Sequence, residues 1–137
     1  MTLQTLPIRI GLLGLLLLAG PLTAQDSLPA ELQPVATRLR ALAAAEWAYN
    51  DRWDLFTDDL TSLTLDPSAG PAATDSVALL VTFANASGWI AFGWTVSNPY
   101  RQCVMFGGYG DPPFLPDPPA TSAGTLALEP GVPACDD

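Results

Sequence analysis

Val77-Ala-Leu-Leu-Val-Thr-Phe83, Asn85-Ala-Ser-Gly88, Trp89-Ile-Ala-Phe-Gly-Trp-Thr-Val96, Asn98-Pro-Tyr100 and Gln102-Cys-Val-Met-Phe106 decide the fold of this chain. Apolar residues recur there at every second position, the period of a pleated strand with one face turned to a core. Val77, Leu79, Val81 and Phe83 make one such face. Ile90, Phe92, Trp94 and Val96 make the next, with Trp89, Ala91, Gly93 and Thr95 opposite. Asn85 to Gly88 has hairpin-turn composition, and Asn98-Pro99-Tyr100 turns the chain again. Three strands in close order make an antiparallel meander the simplest topology. The apolar face is expected to meet a helix. If Val104 and Phe106 lie on that side, Cys103 and Met105 face away.

The helix precedes the strands. From Leu28 to about Asn50 the residues Leu32, Val35, Ala36, Leu39, Leu42, Ala43, Glu46 and Tyr49 recur at three- and four-residue steps. Ser27 is the expected N-cap, Pro29 suits the first turn, and Pro34 is awkward enough to delay regular helix to that point. Asn50-Asp51 is the expected stop. Glu46 lies on the apolar stripe near the helix end, where snorkelling or pairing with Arg52 explains it better than catalysis. A connector, 51–75, spreads Trp53, Leu55, Phe56, Leu60, Leu63 and Leu65 among acidic residues, with a breaker at Asp66-Pro-Ser-Ala-Gly-Pro71. After the sheet, 76–107, a Pro-rich segment bounded by the cysteines, 108–137, holds Thr125 to Leu128 as a candidate further short strand. The fold class is α+β: an N-terminal amphipathic helix packed on an antiparallel three- to four-stranded β-meander with a disulfide-tethered C-terminal loop.

Ahead of the helix, Arg9, the apolar run Ile10 to Ala19 and Gly20-Pro-Leu-Thr-Ala24 read as a secretory signal peptide over 1–24. The run is half the roughly 20 residues needed to span a bilayer. Pro21 stands where a lipoprotein signal would place Cys, so no stable membrane anchor is expected after cleavage. The product, a single domain over 25–137, is expected in the periplasm or outside a bacterial cell. Cys103 and Cys135 suit that oxidising setting and are predicted to be bonded. Closing a loop of about 33 residues restricts the unfolded chain by ~3 to 4 kcal/mol.

Composition narrows the function classes. Fourteen acidic residues against five basic ones, with no His, give a net charge of −9. Nucleic acid is excluded as a partner, since no basic cluster overcomes the repulsion. Without His or Lys the chain lacks the usual general base, zinc ligand and Schiff-base nucleophile. Adjacent acids such as Asp58-Asp59 and Asp136-Asp137 normally face water on loops, no serine sits in a nucleophile elbow, and no enzyme is expected. No cofactor is expected either. Asp111, Asp117, Asp136 and Asp137 offer oxygens to a cation such as calcium, but without a recognisable ligand spacing.

The order of these parts resembles the globular head of bacterial type IV pilins and pseudopilins. The residues that carry the resemblance are Glu46-Trp-Ala-Tyr-Asn50 ending the helix, Phe56-Thr-Asp-Asp-Leu60 in the connector and Ser87-Gly-Trp-Ile-Ala91 entering the middle strand. Gln102-Cys-Val-Met-Phe-Gly-Gly108 on the last strand and Gly131-Val-Pro-Ala-Cys-Asp136 at the end complete it. The resemblance spans about Leu32 to Asp137. It implies that Cys103 and Cys135 enclose a surface-displayed loop used for contacts with protein partners, such as components of a pilus or secretion machine. The family's leader is absent: Gly11 is followed by Leu-Leu-Gly-Leu-Leu16, with no Glu at the fifth place. The expectation is therefore an exported accessory or stand-alone adaptor, with a filament subunit bearing an atypical leader as an alternative. The candidate contact residues are Tyr109, Phe114 and Leu115 in the loop, which would serve equally to pack the tail onto the sheet. Trp89, expected on the outer face, is the candidate platform for another reading, a small carbohydrate- or ligand-binding module.

Overall fold

The computed structural model describes residues 28–63, 76–109 and 117–137. The expected signal peptide, Ser27, the 66–71 breaker, Asp111, Phe114 and Leu115 lie outside these residues. One helix, α1 (Gln33–Trp53), and four strands, β1 (Val77–Ala84), β2 (Gly88–Thr95), β3 (Asn98–Gly108) and β4 (Ala134–Cys135), make up the fold. A 3₁₀ turn at Leu60–Ser62 interrupts the connector. The strands form one antiparallel sheet in the order β1-β2-β3-β4, so the architecture is α+β with a meander, as the sequence predicts.

Helix α1 starts five residues later than the periodicity suggests. Leu32 stands at the N-cap without a side-chain cap, and Pro34 falls in the first turn, where its missing N–H costs nothing. The helix also runs past Asn50-Asp51. It ends at Asp54, whose left-handed backbone (φ 57°) returns its N–H to the Asn50 carbonyl. Val35, Leu39 and Leu42 on the buried stripe are wholly enclosed, each worth ~1.5–3 kcal/mol relative to an exposed side chain.

The hairpin between β1 and β2 turns where expected. The Asn85 side chain accepts hydrogen bonds from the N–H groups of Ser87 and Gly88 and closes the turn. Strand β3 begins earlier than predicted, at Asn98, and its pairing with β2 shifts register at Trp94/Thr95. The fourth strand is Ala134–Cys135 rather than Thr125 to Leu128, a segment that makes only an isolated bridge between Ala120 and Leu126.

The facing of β2 and β3 is the reverse of the expectation. Trp89, Ala91, Cys103 and Met105 belong to the core shared with α1, whereas Ile90, Phe92, Val104 and Phe106 pack on the opposite side with Ala127 and Ala134. Close approach is the reason. A Cβ placed on Gly93 would sit 2.7 Å from Val35 Cγ1 and 3.1 Å from Leu79 Cδ2. The helix therefore seats on Ala91 and Gly93, and the bulky face of β2 turns the other way. The expectation assumed that the more apolar face must meet the helix, but both faces are covered here. In β1, Val77, Leu79 and Val81 face α1 as predicted, while a register shift between Val81 and Phe83 sends Phe83 to the other side.

Cys103 and Cys135 are joined, as predicted, and sit directly opposite each other in the β3–β4 pair. Ala127 and Ala134 of the C-terminal segment pack on the outer face, while the disulfide itself lies on the α1 side.

Candidate functional site

Two neighbourhoods concentrate polar chemistry. The first lies at the C-terminal end of α1, where the periodicity places Glu46 and Asn50 one turn apart on the buried stripe. Glu46 is 0 % exposed, and its Oε2 accepts the Thr57 N–H at 3.0 Å. Asn50 Oδ1 accepts the Tyr109 hydroxyl. Around them Trp47 meets the rings of Phe56 and Tyr109 edge-on, with centroids 5.1 and 5.4 Å apart. Glu46 Oε1, Asn50 Nδ2 and Trp89 Nε1 are buried and have no hydrogen-bond partner among the described residues.

Burial pushes the Glu46 carboxyl from its ordinary 4.5 up to about 7. The Thr57 N–H opposes that rise, and the Asp58 charge adds to it. Such a value suits a general acid or base, but this group is enclosed and its geometry is that of an anchor. It ties α1 to the connector, which the Phe56 N–H also fastens to the Asn85 carbonyl. The expected partner, Arg52, lies instead over the Trp53 ring at 5.6 Å. The adjacent groove, about 170 Å³ between Tyr49, Arg52, Trp53 and Leu63, falls short of the ~300 Å³ at which small-molecule sites begin.

The second neighbourhood is the C-terminal loop. Asp136, 5 % exposed, accepts the Thr121 and Thr125 hydroxyls at Oδ1 and the Gln102 N–H at Oδ2. Burial raises its pKa, but the two hydroxyls, the Gln102 N–H and the Arg101 charge outweigh this and hold it below the usual 3.8. Arg101 in turn pairs with Glu31 ahead of α1. The Gly131 N–H reaches the Phe106 carbonyl, and Ala127 is wholly buried against Ile90, Val104 and Phe106. The alternation around Ala127 turns Leu126 and Leu128 outward, 48 % and 66 % exposed, and Val132 is 40 % exposed.

The residues singled out from sequence do not converge. Tyr109 is exposed along one side while its ring and hydroxyl engage Trp47, Phe56 and Asn50. Trp89 is 0 % exposed in the helix-side core, so it offers no platform and the ligand-binding reading loses its residue. Asp117 and Asp137 face solvent, and Asp136 spends both oxygens on protein donors. Among the described residues no three acidic or cysteine side chains are gathered as metal ligands, and no helix is long and apolar enough to cross a membrane. Leu126, Leu128 and Val132 were passed over as contact residues. Their signal is the Thr125-Leu-Ala-Leu128 alternation, with the small Ala127 as its inward member. No family model, curated protein or solved structure matches the chain.

Proposed function

We propose that the protein is an exported, non-enzymatic, pilin-like domain that acts through contacts with other proteins. It serves as an accessory of a pilus or secretion machine or as a stand-alone adaptor. The observation that carries this reading is the construction of the C-terminal loop. A disulfide, a buried Asp136 and two threonine hydroxyls hold a short segment whose outward side chains, Leu126, Leu128 and Val132, are apolar and exposed. A loop held this firmly loses little entropy when it meets a partner, and pre-ordered apolar side chains are effective anchors.

The reading is tested by placing a photo-crosslinking side chain at Leu128 and, as control, at Ala44 on the exposed face of α1, in the native cell. One discrete adduct from position 128, absent from position 44 and lost on Leu126→Asp, supports a protein-binding loop. Identical adducts from both positions, or none from either, refute it. Sequencing the mature N terminus from the same preparation decides export: a start at Gln25 fits an exported soluble domain. A methylated start at Leu12 would make the chain a filament subunit instead.

A further inference from the structure

Strand β1 is the outermost strand of the sheet, and among the described residues nothing pairs with its far side. The Val96 N–H donates to the Ser76 carbonyl, in register with the Val77–Thr95 pair. By the alternation of an antiparallel ladder, Ala78 and Leu80 also direct their N–H and C=O groups to β2. Val77, Leu79 and Val81 therefore direct theirs away from the sheet. The register shift comes only after Val81, so residues 77–81 form an uninterrupted edge that is open among the described residues.

That edge lacks the usual protection. Val-Ala-Leu-Leu-Val contains no charge and no proline, the devices that ordinarily keep edge strands from pairing. It is apolar on both faces, with Leu79 toward α1 and Leu80, 49 % exposed, on the outer side beside Phe92. An apolar run of this kind is characteristic of a strand covered on both faces, yet Leu80 on the outer face stays half-exposed.

We propose that this edge is a self-association site, at which two copies pair their β1 strands antiparallel about a two-fold axis through Leu79. Leu79 then lies opposite itself and Val77 opposite the partner's Val81, so that the outward N–H and C=O groups bond each other. On the outer face Leu80 meets the partner's Ala78, large against small. With Phe92 behind Leu80 and Trp94 behind Ala78, one apolar row continues across the seam. The occupant is a second copy because recognition along 77–81 is purely apolar and backbone-mediated. A basic peptide, the complement of a chain of net charge −9, would find no carboxylate on this edge. Repulsion between two such copies makes the pairing salt-dependent, tightening as added salt shortens the ~10 Å Debye length.

The test uses protein expressed from the full sequence, with sedimentation and amide exchange measured between roughly 10 µM and 1 mM at low and high salt. The expected result is a dimer favoured by concentration and salt. The amides of Val77, Leu79 and Val81 gain at least about tenfold protection as it forms, while Ala78 and Leu80 are protected throughout. Leu80→Lys, at a half-exposed position, keeps Ala78 protected and abolishes the dimer. Should that variant fail to fold, the wild-type exchange pattern decides. A monomer at every concentration with exposed odd-numbered amides overturns the proposal. So does a dimer that leaves those amides unprotected, and so does protection independent of concentration, which would place another segment of the same chain on the edge.

Discussion

Replacing Glu46 with Gln should remove a pH dependence that the fold has built into its own core. The carboxyl is fully buried, accepts one backbone N–H and has its pKa raised from 4.5 to about 7. Because the folded state prefers the protonated acid, it binds more protons than the unfolded state between these values, and stability falls as pH rises through that window. The contribution is fully present below about 4.5 and gone above about 7. At 1.36 kcal/mol for each unit of pKa difference, and allowing for screening near the helix end, the loss is about 2 to 3 kcal/mol. Asp59 and Asp136 act with the opposite sign at lower pH. Their folded pKa values lie below 3.8, so their support is present above 3.8 and is lost as pH falls through the lowered values.

Gln keeps an oxygen for the Thr57 N–H and never charges. Urea unfolding followed by tryptophan fluorescence at pH 4.5, 5.5, 6.5 and 8 should show wild-type stability declining through this range, with Glu46→Gln nearly flat. The variant should be the more stable protein at pH 8 by about 2 to 3 kcal/mol and within about 1 kcal/mol of wild type at pH 4.5. Repulsion among the remaining acids acts on both proteins alike, so the difference between them isolates Glu46. Parallel declines in the two proteins would refute the reasoning and show that the carboxyl ionises without penalty.

Three other perturbations follow from the packing. Replacing Cys103 and Cys135 together with Ala should cost ~3 to 4 kcal/mol in a urea titration, since the bond spans 32 residues. Gly93→Ala should cost ~1 to 3 kcal/mol, because its Cβ would lie 2.7 Å from Val35 Cγ1 and the helix or that side chain must give way; a neutral effect would mean that α1 is not seated on β2 there. Asp136→Ala leaves the Thr121 and Thr125 hydroxyls and the Gln102 N–H without their shared acceptor. It should lower stability by ~2 to 4 kcal/mol and release exchange protection at Gln102 while the β1–β2 amides stay protected.

The meander, its hairpin turn, the helix and the disulfide were legible because each rests on a local rule: period two, period 3.6, an Asn-led turn, a pair of cysteines. What local rules could not carry was which side of the sheet the helix takes. Val77, Leu79 and Val81 do face α1, although β1 too is apolar on both faces. Strand β2 is apolar on both faces, so its pattern alone does not distinguish Trp89-Ala91-Gly93 from Ile90-Phe92-Trp94. The physical determinant is size. A helix lying close to a sheet needs Ala and Gly beneath its Val and Leu, whereas a thin covering loop needs large side chains beneath it to fill the space. Reading β2 for volume instead of hydropathy would have turned it the right way.

The same inversion accounts for the candidate site. Trp89 appeared suited to display only while its face was taken to be the outer one; once that face meets α1, its indole becomes part of the helix-side core to which Phe56 also belongs. Glu46 was recognised as an exception on an apolar stripe, but the sequence offered Arg52 as its partner, and the backbone N–H that does bind it belongs to Thr57, beyond a left-handed turn at Asp54. Backbone donors carry no sequence signature, so a buried acid bound by one cannot be matched to it in advance. Asp136 illustrates the converse. Its partners Thr121 and Thr125 are spaced four apart, a pattern visible in the sequence, yet it becomes meaningful only because the disulfide brings the C-terminal end back against Gln102. The covalent bond therefore does more than restrict the unfolded chain: by setting Cys135 opposite Cys103, it puts the neighbouring carboxylate where it can hold the loop, and the loop in turn holds Leu126 and Leu128 in solvent.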